Sequence, residues 1–76
     1  MYGVLRQDGV IRLPGVESAC IKDDDLICYD AQEREVARYP ANGSLFGDIE
    51  ALERIVRRLA RLEAYGRLER LTQQRQ

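Results

Sequence analysis

Asp48-Ile-Glu-Ala-Leu-Glu-Arg-Ile-Val-Arg-Arg-Leu-Ala-Arg-Leu62 carries its apolar side chains at Ile49, Leu52, Ile55, Val56, Leu59 and Leu62. Spacings of three and four residues hold them within one broad stripe of a helical wheel, so the run predicts an amphipathic helix. Ser44 and Asp48 are both candidates for its N-cap, since each offers a side-chain oxygen to the open amides of a first turn. The stripe is expected to cover a sheet built from the residues before it.

Past Leu62 the apolar residues Tyr65, Leu68 and Leu71 follow at intervals of three. Three residues advance a helix by only about 300°, so this set rotates off the first stripe and needs a second surface. Gly66 stands at the change, and the helical region 44–73 is expected to bend near it. Leu62, Tyr65, Leu68 and Leu71 are therefore the expected interface with a second copy of the chain or with a partner protein. Two-fold homodimers are the commonest arrangement of this kind. The competing reading folds the tail back on its own domain, and the pattern is too short for a sustained coiled coil.

Upstream, the pattern is that of strands. Tyr2-Gly-Val-Leu-Arg6 and Val10-Ile-Arg-Leu13 flank Gln7-Asp8-Gly9, a strong hairpin signal, and Pro14-Gly15 then ends the second strand. Val16 to Lys22 and Leu26 to Tyr29 flank the acidic turn Asp23-Asp24-Asp25, and Arg34 to Tyr39 completes the series before Pro40. About five short strands joined by tight turns predict an antiparallel β-meander over residues 1–40, curved as an SH3-like sheet or an open half-barrel. With the helix behind it, residues 1–76 are expected to form a single α+β domain.

A chain of 76 residues, 45% hydrophobic and 33% charged, has enough apolar material to fold but only a small core. Cores of this size supply about 3 to 5 kcal/mol, which makes help from a second subunit an early expectation. Residues 1–47 carry five basic and eight acidic groups and residues 48–76 carry seven and five, so neither half has the dense positive charge of a strong nucleic-acid binder. No run of residues has the length and hydropathy of a signal peptide or membrane span, and a cytoplasmic location without membrane contact is the default.

Arg54, Arg57, Arg58 and Arg61 line the face opposite the apolar stripe. Such a row can grip phosphates. Glu50 and Glu53 stand four residues before Arg54 and Arg57, the favourable order for helical ion pairs, so a solvated face is the preferred reading and nucleic acid the alternative. Asp23, Asp24 and Asp25 lack the alternate spacing, Gly and closing Glu of a calcium loop and read as a solvated turn. A weaker reading docks that turn on a partner's arginines, as an acidic inhibitor would.

A three-residue turn there would set Lys22 opposite Leu26 and Cys20 opposite Cys28, close enough for a cross-strand bridge, although two reduced thiols are the preferred expectation. The chain has no histidine, no phosphate-binding glycine motif and no base placed beside a hydroxyl, so no metal, cofactor, small-molecule substrate or catalysis is expected. The resulting reading is a small regulatory or assembly module that acts by protein-protein contact through its C-terminal helix.

Overall fold

The computed structural model describes the backbone of residues 1–74 and the side chains of residues 1–63. Among these residues, the chain runs through β1 (Tyr2–Arg6), β2 (Gly9–Arg12), β3 (Val16–Lys22), β4 (Asp25–Asp30), β5 (Glu35–Pro40), β6 (Leu45–Asp48) and α1 (Ile49–Gln74). The α+β class stands, but the single five-strand meander does not. The strands form two antiparallel sheets, ordered β2-β1-β6 and β3-β4-β5.

The division begins at Leu13-Pro14-Gly15-Val16. The Val16 amide donates to the Leu13 carbonyl at 3.2 Å with Gly15 at φ 85°, the signature of a type II turn with Pro at its second position. Turns of this hand do not follow the twist of a strand pair, so they splay the strands they join. Strands β2 and β3 accordingly leave for different sheets. The vacant edge of β1 is taken by β6, with Tyr2 opposite Asp48 and Leu5 opposite Leu45.

Residues 45–48, expected within the helical region, are thus a strand, and the helix starts at Ile49. Asp48 rather than Ser44 is the cap: its Oδ2 accepts from the Glu50 amide at 3.0 Å. The Ile49 amide donates to the Met1 carbonyl at 2.9 Å, and the terminal ammonium lies 3.7 Å from Asp48 Oδ1. Ser44 instead ties down the crossing between the sheets, donating to the Pro40 carbonyl at 2.6 Å and accepting from Arg6.

The core lies between the sheets. Val4 and Leu13 meet Val16, Leu26 and Cys28, with Ala19, Ala37, Tyr39 and Phe46 packed against them. Tyr2 stacks on Phe46 at 5.1 Å along the same face.

The β3-β4 turn is one residue shorter than expected. Lys22 pairs with Asp25, leaving Asp23 (φ 51°) and Asp24 (φ 66°) as the two central residues. Positive φ at both positions makes a type I′ turn, whose twist matches the strands. A one-residue change of register reverses the face of every side chain. Cys20 therefore stands opposite Ile27 and is exposed, while Cys28 stands opposite Ala19 and is buried, so both thiols are free and the conceivable bridge is excluded. Aspartate tolerates the left-handed region less well than glycine does. Asp24→Gly is expected to raise stability by about 1 kcal/mol, an increase in Tm of roughly 4 to 8 °C on thermal unfolding. An unchanged or lower Tm would show that the turn carries no such strain.

Candidate functional site

Alternation along sheet β2-β1-β6 turns Gly3, Leu5, Val10, Arg12, Leu45 and Gly47 toward the helix. Gly3 and Gly47 are directly paired. A Cβ on Gly3 would collide with the Ile11 carbonyl oxygen and with Ile49 Cδ1, and one on Gly47 would stand 3.5 Å from Leu52 Cδ2. The first turns of α1 therefore rest on bare backbone. Ile49 and Leu52 are buried there, at 6% and 1% exposure.

Further along, the floor rises and then ends. Leu5, Val10 and Leu45 replace the glycines, and a five-residue strand offers only about 17 Å of surface. A helix running beside it crosses that distance in about eleven residues, reaching Leu59. Exposure climbs accordingly, from 38% and 37% at Ile55 and Val56 to 52% at Leu59 and 60% at Leu62. A cleft of about 320 Å³ opens between Leu5 and the β1-β2 turn on one wall and Val56, Leu59 and Ala60 on the other.

The expectation that the whole Ile49 to Leu62 stripe covers the sheet is therefore corrected: only its first two members are fully covered. Unburied apolar surface begins at Ile55, earlier than the sequence indicated. Leu62 is exposed as the interface reading requires. Tyr65, Leu68 and Leu71, and any bend near Gly66, belong to residues whose side chains lie outside the described ones.

On the opposite face, Arg54, Arg57, Arg58 and Arg61 together line a shallow recess of about 410 Å³. Glu50 Oε2 reaches Arg54 at 3.9 Å. Glu53 does not pair with Arg57 as expected. It turns toward the sheet and accepts from Arg12 Nη2 at 3.0 Å. Among the described residues, Arg57, Arg58 and Arg61 form no ion pair.

The acidic turn is less free than its composition implies. Asp23 and Asp24 are exposed, but the Asp24 carbonyl accepts from the Ala41 amide at 2.8 Å, and Arg38 Nη1 donates to Asp25 Oδ2 at 3.4 Å. The turn thus helps hold the β5-β6 crossing in place. Among the described residues, no three His, Cys, Asp or Glu side chains gather as a metal ligand set.

Asp30 was not singled out from the sequence, yet it organises the β4-β5 turn. Its Oδ1 accepts from the Gln32 and Arg34 amides, both at 2.9 Å, and its Oδ2 from Arg34 Nε at 3.0 Å. The Arg34 amide first, with the other donors, holds this carboxyl below the usual range. An Asp four residues before an Arg at a strand end was the available signal. Cys20 Sγ and the Tyr29 hydroxyl are hydrogen-bonded at 3.6 Å, a contact that favours the protonated phenol and pushes it up, while burial pushes the Cys28 thiol up. Cys28 is fully buried in the inter-sheet cluster, where it serves as core packing.

No family model, curated protein or solved structure matches the chain. No helix among the described residues is long and apolar enough to cross a membrane. Helix α1 presents an unburied apolar stripe on one side and a row of arginines on the other.

Proposed function

We propose that the chain is a small, non-enzymatic protein-protein interaction module that self-associates through the apolar stripe of α1 and serves a regulatory or assembly role. The observation that carries this reading is the climb in exposure from Leu52 to Leu62 along one continuous stripe. Isolated exposed leucines are ordinary on protein surfaces, whereas contiguous apolar strips flanked by charge are characteristic of contact sites.

A second copy fits this surface by symmetry. A two-fold contact brings the same patch from both partners together, and the stripe supplies both a projecting side chain, Leu62, and a cleft lined by Leu5, Val56 and Leu59. An antiparallel crossing centred on Leu59 would set Leu62 of each copy beside Val56 of the other. The small inter-sheet core adds a thermodynamic reason, because association supplies burial that so short a chain lacks.

Light scattering across a wide range of protein concentration tests the reading. The native chain is expected to approach twice its monomer mass, and Leu59→Asp with Leu62→Asp to remain monomeric with unchanged circular dichroism. Both substitutions fall on exposed side chains, so the fold should survive them. A native chain that stays monomeric throughout would refute self-association.

A further inference from the structure

We infer that Arg54, Arg57, Arg58 and Arg61 form a binding site for the phosphate backbone of nucleic acid. This surface is separate from the apolar stripe and does not depend on self-association. The residues occupy positions i, i+3, i+4 and i+7 of one helix, so they lie on a single face and span about 10 Å along the axis. Four cations that close repel one another, and a bound polyanion relieves the repulsion.

The acids that would otherwise neutralise the row are engaged or distant. Glu53 is drawn off by Arg12 at 3.0 Å, and Glu50 touches only the first member, Arg54, at 3.9 Å. Among the described residues, the recess between the guanidiniums is walled by the four arginines, with no carboxylate in its lining. Guanidinium is a planar fork that meets two phosphate oxygens at once, unlike the point charge of an ammonium.

The same geometry separates this ligand from other anionic surfaces. A bilayer that took up Leu59 and Leu62 would leave the arginine row facing water on the far side of the helix. An acidic protein partner would be expected to find an aromatic or aliphatic anchor at the centre of the site, and among the described residues the recess is lined by arginine alone. Phosphodiester contacts need no such anchor. With no Asn, Gln or aromatic side chain among the described residues of the recess to read base edges, binding should be indifferent to sequence.

Fluorescence anisotropy with a labelled mixed-sequence duplex and its single strand, titrated from low to high salt, tests the site. The native chain is expected to bind with a logarithmic salt slope of about −3. Arg57→Gln with Arg58→Gln should weaken low-salt binding by about tenfold or more and flatten the slope by about two. Arg57→Lys with Arg58→Lys keeps the charge and should retain the native slope, so a fault in folding of the glutamine variant would not obscure the result. Lys22→Gln with Arg34→Gln removes equal charge from the sheets and should bind as the native chain does. No anisotropy change at the lowest salt would overturn the assignment, as would equal losses in the sheet variant. Arginine-dependent binding to phosphatidylserine vesicles without nucleic-acid binding would overturn it in favour of a lipid surface.

Discussion

Gly3→Ala is expected to unfold a large fraction of the protein at room temperature. A Cβ at this position would enter the space of the Ile11 carbonyl oxygen and of Ile49 Cδ1 together. The side chain of Ile49 can turn aside, but the carbonyl belongs to the neighbouring strand and can move only if β2 shifts. Overpacking of this kind costs about 3 kcal/mol, which is comparable with the whole stability of a domain this small. Urea unfolding followed by circular dichroism would read the loss directly. The paired glycine is an internal control. At Gly47 the nearest atom is Leu52 Cδ2 at 3.5 Å, ordinary contact distance, so Gly47→Ala should be much milder. Equal effects at the two positions would mean that the close approach of helix to backbone is not what Gly3 provides.

Leu52→Ala is expected to cost about 3 kcal/mol, whereas the chemically identical Leu62→Ala should change monomer stability by no more than about 0.5 kcal/mol. The difference is one of place. Leu52 is 1% exposed against the glycine floor, and Leu62 is 60% exposed. The buried cluster of Val4, Leu13, Val16, Leu26 and Cys28 does not include Leu52, so the variant should lose its hold on α1 while the two sheets stay packed. Helical ellipticity would then melt before the near-ultraviolet signal of the stacked Tyr2 and Phe46. A single coincident transition for both signals would show that helix and sheets unfold as one unit.

These two sites mark the boundary of what the sequence made legible. Strands β1 to β5 were placed within a residue or two, because alternation and turn residues are local signals. Asp48 was legible for the same reason, as one of two candidate caps beside Ser44. The grouping of strands into sheets and the register of β3 on β4 were not, since each depended on the hand of a turn: Pro14-Gly15 sends the chain to another sheet, and Asp23-Asp24 sets the two cysteines on opposite faces. β6 was overlooked because four residues after a turn-rich stretch carry little periodicity of their own, and they gain strand character from pairing with β1, over 40 residues earlier in the chain.

The candidate site divides along the same line. Both faces of α1 were visible as spacing, but the points where burial stops and where Glu53 finds its partner are set by the length of β1 and by Arg12 on β2. Neither could be read from the helix alone. Gly3 and Gly47 were likewise silent in the sequence, because the need for a missing side chain arises from a helix that arrives much later in the chain.

A helix clamped at Ile49 and Leu52 and, among the described residues, exposed from Leu59 to Leu62 has the geometry of a lever. Leu62 sits about 20 Å from Ile49 along the axis, so a tilt of about ten degrees on the glycine floor carries its side chain roughly 3 Å. Small adjustments at the anchor are thereby magnified at the far end, and whatever seizes the free arm gains mechanical purchase on the centre of the sheet, through β1, without having to touch it.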